Sequence, residues 1–375
     1  MLYRLRKRPD ILFFVILVCF ICLGIFMARM IALVGHNSIF IPVVPSNCLI
    51  KSAVTYSETT DWAAEEDGVY YFRTSDDALC RWDGETVETL LPPGEFHGEY
   101  LHAENGVLFY SDMEAFGLFA YEVATGLSET IVDYHDLRSL RRGHPAFWWA
   151  DEEGYYFLGI QQEGTYRIWH TDADGQNIEG QNVPERWWGD VEGWEDYPSA
   201  LESVSAITGD SLVCITESGD VGRYNYTTEE WETLLEADGE PYGDPIGFQD
   251  GKLIFPQGDS LYWSVDPETG EKKFFVRLDD PALRLEAVQG ETVYVVRTEA
   301  GSDIFGWYGD AAFSPIGRAG KTLCQVGEVI FVTGPSDELF TDREVIDLTG
   351  DPVDGRISEY AVLSNGTVYR LYAAP

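Results

Sequence analysis

The pattern of apolar and polar positions divides the chain into one long apolar run near the N-terminus and a long series of short runs after it. Residues 11–28 are eighteen consecutive apolar residues, and a second apolar stretch covers 30–34. At 1.5 Å per residue, this length can cross a hydrocarbon core of roughly 30 Å. The pattern predicts a transmembrane anchor at 11–34, with a tail at 1–10 before it and a linker at 35–47 after it.

The charges beside the apolar run predict its orientation. The tail contains four basic residues against one acidic residue, namely Arg4, Arg6, Lys7, Arg8 and Asp10. A basic flank is retained in the cytoplasm, so residues 48–375 are expected on the extracytoplasmic side of a single-pass cell-membrane protein. A cleaved signal peptide is the alternative. It would have a shorter apolar region and a small-residue cleavage site, and residues 28–38 offer no good site, which favours an uncleaved signal anchor.

Beyond the linker, a turn containing Gly or Asp followed by a short β-branched and aromatic run recurs eight times. The runs are EDGVYYF (66–72), ENGVLFY (104–110), EEGYYFL (152–158), GDSLVCI (209–215), DGKLIF (250–255), GETVYVV (290–296), GEVIFV (327–332) and SNGTVYRL (364–371). Counted from Gly68, the spacings are 38, 48, 56, 41, 40, 37 and 38 residues. Turns such as NG and DG favour tight β-hairpins because they tolerate positive φ.

Further strand patterns accompany each of these runs. A second run follows, as in ALCRWD (78–83), then a third, as in VETLL (87–91), and a fourth precedes each turn, as in EYLHA (99–103). Four short strands every 37 to 41 residues are typical of the blades of a β-propeller. Outside the anchor there is no helical period, which excludes a helical solenoid, and a β-sandwich would not sustain such a long repeat. The fold class is therefore predicted to be all-β.

The number of blades depends on two segments that have no complete unit of their own. Seven units run from about Trp62 to Pro352, while 359–373 matches two strands of an eighth and 48–57 reads as a single strand. Pairing the two leftover segments would close the ring and remove exposed strand edges. We therefore expect an eight-bladed propeller over 48–375, with seven blades as the alternative.

The repeated phrasing "DG-V-YYF … L-xx-D … TLL" resembles the YWTD/TolB-like and DUF5050-type propellers of bacterial envelope proteins, over roughly residues 60–373. The turns ATG (124–126) and PETG (267–270) are also similar to the eight-bladed quinoprotein-like repeat. The tryptophan that follows each such turn in that repeat is absent here, since Leu127 and Glu271 follow instead. The resemblance implies a propeller fold and an extracytoplasmic binding role, and it implies no catalytic residues.

Charge and composition narrow the classes of partner. The formal net charge is −39, and because residues 1–46 contain five basic and one acidic residue, the remainder carries −43. Such a domain repels nucleic acid and anionic lipid surfaces. Cys48, Cys80, Cys214 and Cys324 lie far apart, which favours isolated thiols buried in strands over a disulfide framework. No spacing of His or Cys residues predicts a metal site, and no cofactor or catalytic nucleophile motif is present.

Two units are longer than the others, and propellers bind their ligands through loops. The unit beginning at 106 is about 10 residues longer, and its insertion contains Arg138, Arg141 and Arg142, which suit a carboxylate or phosphate group. The more ordinary interpretation is that these arginines neutralise neighbouring acids. Trp148 and Trp149, just after this cluster, are expected to begin a strand and to pack between blades.

The unit beginning at 154 is about 18 residues longer, and its insertion contains Trp187, Trp188 and Trp194 among acidic residues. Large rigid aromatic side chains suit stacking on sugars or docking against a partner protein. We therefore expect a membrane-anchored propeller that binds an envelope protein or glycan through its loop face without catalysis. The alternative is a carbohydrate-active hydrolase or lyase that uses carboxylates in the channel. A structural or sensory ectodomain is the third hypothesis, against which stands the short tail at 1–10.

Overall fold

The computed structural model describes the chain from residue 48 to residue 374, apart from internal stretches of which the longest are 137–144, 161–165, 183–200, 336–343 and 350–356. The described part is β-structure with one short 3₁₀ helix, Tyr134–Asp136. No helix within it has the length and hydropathy that a membrane span requires. The predicted tail, anchor and linker at 1–47 lie outside the described residues.

The described chain begins with an antiparallel hairpin and continues into seven antiparallel sheets, which we call blades 1 to 7 in chain order. The hairpin consists of β1 (Cys48–Ser52) and β2 (Thr55–Thr59). Blade 1 comprises β3 (Ala63–Glu66), β4 (Val69–Arg73), β5 (Leu79–Trp82) and β6 (Val87–Leu91). Blade 2 comprises β7 (Gly98–Glu104), β8 (Val107–Asp112), β9 (Gly117–Glu122) and β10 (Leu127–Asp133). Blade 3 comprises β11 (Pro145–Ala150), β12 (Tyr155–Ile160), β13 (Tyr166–His170) and β14 (Glu179–Asn182).

Blades 4 to 6 follow the same four-stranded plan, and blade 7 has a fifth strand. Blade 4 comprises β15 (Leu201–Ile207), β16 (Ser211–Thr216), β17 (Val221–Asn225) and β18 (Glu230–Leu235). Blade 5 comprises β19 (Phe248–Gln249), β20 (Lys252–Gln257), β21 (Leu261–Val265) and β22 (Lys272–Arg277). Blade 6 comprises β23 (Leu283–Gln289), β24 (Thr292–Glu299), β25 (Ser302–Gly309) and β26 (Ala312–Ala319). Blade 7 comprises β27 (Lys321–Val326), β28 (Val329–Pro335), β29 (Val345–Asp347), β30 (Ile357–Leu363) and β31 (Val368–Ala373).

The pairing in blade 7 shows that the prediction of eight blades was wrong and that the alternative of seven is correct. β28 pairs with β30, with Val332 opposite Tyr360, β30 pairs with β31, and β29 adds a parallel strand at the outer edge. The two strands assigned to an eighth blade are therefore the third and fourth strands of the seventh. The insertion at 336–356 separates the runs at 327–332 and 364–371 by 38 residues, so the spacing imitated a blade period.

The N-terminal hairpin does not complete the last blade either. β1 pairs in parallel with β15, with Leu49 opposite Ala206, and β2 also contacts β7. Because β15 is the first strand of blade 4, the hairpin extends the inner edge of that blade. Blades 7 and 1 consequently share no strand, and side-chain contacts close the ring between them.

The order of strands within each blade runs from the central axis outward. The first strands of neighbouring blades contact one another, as β3 does with β7 and with β27, whereas fourth strands such as β10 and β22 are largely exposed. The run 99–103, predicted as a fourth strand, belongs to the first strand of blade 2. The reason is the turn that follows it, because Asn105 and Gly106 have φ of 54° and 74° and join β7 to β8 as a tight hairpin.

The cores lie between consecutive blades and not inside single ones. Leu118, Val132 and Phe157 form such a cluster between blades 2 and 3, and Trp148 packs in it, which confirms that part of the prediction. Each sheet therefore buries both faces, as in β16, where all six residues are buried. Cys214 lies in that strand and Cys80 in β5, both buried as predicted.

Candidate binding face

Two kinds of loop meet at one end of the blades. The loops between second and third strands lie beside the connections from one blade to the next, because Gly94 N donates to Asp76 O at 2.9 Å and Tyr242 N donates to Gly219 O at 3.0 Å. We call this end the loop face. The opposite end has the tight turns between first and second strands, such as Asp67 and Gly68.

Both long insertions that the sequence singles out connect one blade to the next. β10 ends at Asp133 before β11 begins at Pro145, and β14 ends at Asn182 before β15 begins at Leu201. The described ends of both connections therefore lie on the loop face. The predicted site residues, Arg138, Arg141, Arg142, Trp187, Trp188 and Trp194, lie outside the described residues.

The described part of the loop face is rich in exposed acidic side chains. They are Glu114, Asp133, Asp238, Glu240, Asp244, Asp259 and Asp279. Two arginines on this face are matched by acids, since Arg73 lies 2.6 Å from Asp77 and Arg297 lies 3.2 Å from Asp280. These two cations are therefore already neutralised, and the exposed acids leave the surface negative.

The contact between blade 1 and blade 2 adds an imidazole to this surface. His97 Nε2 lies 3.5 Å from a carboxylate oxygen of Glu114, and its Nδ1 lies 3.9 Å from Asp77. When the imidazole is protonated, it forms ion pairs with both acids. His97 is thus also held by its acidic neighbours.

A polar cluster lies at the loop-face end of the contact between blades 7 and 1, which we call the closing seam. Thr333, Glu359 and Tyr372 stand opposite one another on three neighbouring strands of blade 7. Glu359 Oε1 accepts a hydrogen bond of 2.8 Å from the backbone N–H of Ser75 in blade 1, and Oε2 accepts one from Thr333 Oγ1. Tyr372 OH donates to Asp76 Oδ2 at 3.0 Å, and the Ser75 side chain also hydrogen-bonds Glu359, so Ser75 and Asp76 of blade 1 are both bonded across the seam.

Glu359 has an unusual environment for a carboxyl group. Its side chain is fully buried, and burial raises its pKa above the ordinary value of a glutamate. A shifted acid can indicate catalysis, but both oxygens of Glu359 are occupied and no part of it is exposed to a substrate. The geometry therefore assigns it to holding the two blades together.

Sequence reasoning missed Glu359 for an identifiable reason. β30 is buried on both faces, so alternation does not separate the face toward blade 1 from the face toward blade 6. The available signal was one acidic residue inside an otherwise apolar strand, EYAVL at 359–363. That signal does not locate the partner, because Ser75 lies 284 residues away in sequence.

Below the polar cluster, the closing seam is aromatic. The ring of Phe331 lies 5.3 Å from that of Phe72, and the ring of Trp82 lies 5.3 Å from that of Tyr369. Ala361 and Leu371 complete this apolar layer from blade 7. Hydrophobic burial thus supplies much of the contact, and the polar cluster caps it at the loop face.

Metal chemistry has no evident location in the described residues. No group of three or more His, Cys, Asp or Glu side chains there has the arrangement to hold an ion. The acids of the loop face therefore form a charged surface, and those in the described residues do not form a metal site.

Comparison with known proteins supports the fold and does not identify a family. No family model matches the sequence, and no curated protein matches it. The chain is similar to puromycin hydrolase complexed with PGG, with a TM-score of 0.53 and 12% identity over 85% of this chain and 54% of that one. A second puromycin hydrolase structure gives 0.50 and 13% over 89% and 57%.

The propeller domain of the Trilobed protease from Pyrococcus furiosus is also similar, with a TM-score of 0.46 and 10% identity over 88% of this chain and 98% of that one. The chain spans about half the length of the puromycin hydrolase structures that it matches. At such identities the likeness to those hydrolases shows a shared propeller fold and nothing of their activity.

Proposed function

We propose that this chain is a non-catalytic propeller that binds a partner protein or glycan through its loop face. The acidity of that face supports the proposal most directly. Its exposed charged side chains, among the described residues, are predominantly carboxylates, and the arginines Arg73 and Arg297 on it are neutralised by Asp77 and Asp280. A surface of this kind favours partners that present basic groups and disfavours nucleic acid.

The long insertions belong to the same proposal. We place the predicted contributions of Trp187, Trp188 and Trp194 on a sugar or partner protein at this face, and those of Arg138, Arg141 and Arg142 on a carboxylate or phosphate group. The support is sequence composition together with the topology of the flanking strands, which end on the loop face.

We further propose that residues 11–34 anchor the chain in the cell membrane and that the propeller lies outside. The support is the run of eighteen apolar residues with a basic flank before it. Such an arrangement would present the loop face to proteins and glycans of the cell envelope.

The carbohydrate-active alternative has less support. The carboxyl group with the most distinctive environment, Glu359, is fully buried and hydrogen-bonded on both oxygens. A glycoside hydrolase needs a pair of carboxyl groups that reach the scissile bond.

Binding can be tested with the full-length chain in detergent against a panel of cationic peptides and a glycan array. A loop-face triple variant, Glu114→Lys, Glu240→Lys and Asp259→Lys, should weaken peptide binding by more than about tenfold, because it reverses three charges of the acidic face. A matched triple variant at the opposite end, Glu85→Lys, Asp174→Lys and Glu179→Lys, should bind as the wild type does. These six acids are all exposed.

Equal losses in both triple variants would mean that net charge alone governs binding and would overturn the loop-face assignment. The loop-face triple variant could still bind a glycan. If replacing Trp187, Trp188 and Trp194 with alanine then abolishes that binding, the glycan binds at the second insertion. Release of reducing sugar from any glycan in the panel would contradict a non-catalytic role.

A further inference from the structure

The closing seam combines two features that are independent of partner binding. Blades 7 and 1 share no strand, and a buried carboxyl group bridges them. The pairing of β1 with β15, and of β28, β30 and β31 with one another, leaves the contact to side chains. The strength of this contact therefore depends on the protonation state of the side chains within it.

We propose that the closing seam is a pH-dependent latch, in which the protonated carboxyl group of Glu359 holds blades 7 and 1 together and its ionisation loosens them. The first support is that no described Lys, Arg or His forms an ion pair with Glu359. Arg73, the basic residue at the end of β4, is engaged by Asp77 and Glu99 instead. A carboxylate at this position would be buried without a compensating cation.

The titratable groups that face Glu359 either carry a negative charge themselves, which disfavours ionisation of Glu359, or stay neutral. Across the seam, Asp76 carries a carboxylate that accepts hydrogen bonds from Tyr372 OH and Thr74 Oγ1, and its charge disfavours a second anion nearby. Asp77 beside it is paired with Arg73. From β31, burial and the bond to Asp76 raise the pKa of Tyr372, so the phenol stays protonated.

The other neighbours add no positive charge. In β5, burial raises the pKa of the Cys80 thiol to about 12, which keeps it neutral. Arg370 of β31 lies opposite Tyr360 on the other face of the sheet and pairs with Asp347. Within the part of the chain that the structure describes, the surroundings of Glu359 thus favour its neutral form.

The hydrogen bonds around Glu359 accommodate a proton. The Ser75 N–H donates to Oε1 in either state, and the bond with Thr333 can reverse, because a hydroxyl group both donates and accepts. When Glu359 carries the proton, it donates to Thr333 Oγ1, and no polar atom is left without a partner. The hydrogen bonds from Thr333 and Ser75 lower the pKa in part, but burial has the larger effect because ionisation adds a buried charge that no described cation pairs with.

The sign of the pH dependence follows from linkage. Burial raises the pKa of Glu359 above its unfolded value of 4.5, so the folded form binds its proton more tightly than the unfolded form does. The resulting stabilisation is fully present below about pH 4.5 and is lost as the pH rises through the raised value. Acid therefore tightens the latch, and a rise in pH through the raised pKa loosens it.

Hydrogen exchange on the full-length chain in detergent tests the latch directly. Peptides covering 74–82 and 357–373 should become about tenfold less protected as the pH is raised stepwise from 5.5 through the raised pKa of Glu359, after correction for the intrinsic exchange rate. The Glu359→Gln variant, which keeps an acceptor for Ser75 N–H and cannot ionise, should show no such change. The matched variant Glu179→Gln, at an exposed acid of blade 3 away from the seam and the loop face, should behave as the wild type does.

An unchanged protection of the seam across this pH range in the wild type, or a pH dependence that survives in Glu359→Gln, would overturn the proposal. If Glu359→Gln fails to fold, infrared spectroscopy of the wild type decides the question. A carbonyl band of a buried protonated carboxyl group should be present at pH 5.5 and should disappear as protection of the seam falls. Absence of that band at pH 5.5 would also overturn the proposal.

Discussion

The contact between blades 2 and 3 and the closing seam between blades 7 and 1 use the same register positions with different chemistry. In blade 2, Leu118 stands between Ser111 and Val132 on three neighbouring strands, and in blade 7 the corresponding residue is Glu359. Both central side chains are fully buried. One contact is therefore filled by an alkyl group, and the other by a carboxyl group that bonds to Ser75 across the seam.

The difference follows from how the blades are connected. Blade 2 continues directly into the connection that carries Tyr134, whose OH lies 3.0 Å from Ser111 Oγ within the same cluster. Blades 7 and 1 lie at opposite ends of the propeller sequence, and no strand is shared between them. Apolar packing is non-directional, whereas hydrogen bonds fix relative position, so the bonds from Glu359 and Tyr372 fix two blades that no chain connection joins.

The largest effect is expected from transferring the carboxyl group to the apolar contact. At pH 8, Leu118→Glu should lower the free energy of unfolding by about 3–5 kcal/mol, because it would place a carboxyl group in a cluster of apolar side chains. Denaturant titrations at pH 5 and pH 8 measure the loss, which should be greater at pH 8. Leu118→Gln is the neutral control, and an identical pH dependence in both variants would show that charge is not the cause.

A smaller effect is expected from removing the hydroxyl group beside Glu359. Thr333→Val keeps the shape of the side chain and takes one hydrogen-bond partner from a buried carboxyl group, which should cost about 1–3 kcal/mol. Ser111→Ala at the matching position of blade 2 removes a neutral bond to Tyr134 and should cost about 1 kcal/mol. Urea titrations compare the two, and a greater cost for Ser111→Ala would reverse the expected difference between the contacts.

The smallest effect is expected at the half-buried edge of the seam. Tyr372→Phe removes the bond to Asp76 and should cost about 0.5–1.5 kcal/mol, since Asp76 keeps the bond from Thr74. Tyr369→Phe, whose ring packs on Trp82, is the control and should change stability by less than about 0.5 kcal/mol. Thermal unfolding should separate the two variants, and indistinguishable values would remove Tyr372 from the seam.

The fold class and the turns could be predicted from the local sequence. Repeated DG and NG pairs before β-branched runs predicted tight hairpins, and the positive φ of Asp67, Gly68, Asn105 and Gly106 confirms them. The regular spacing of these hairpins predicted the blades. Both predictions succeeded because each hairpin forms between residues that are close in the sequence. The anchor at 11–34 and the tryptophan and arginine insertions remain predictions, since they lie outside the described residues.

Only the tertiary structure decided the number of blades, the place of the N-terminal hairpin and the role of Glu359. Each depends on pairing between distant segments, such as β1 with β15 or Glu359 with Ser75, and local periodicity carries no information about such partners. Blades also bury both faces, so alternation in β30 does not reveal which face meets blade 1. The closing seam can therefore be identified only from the tertiary structure, in which blades 7 and 1 are in contact.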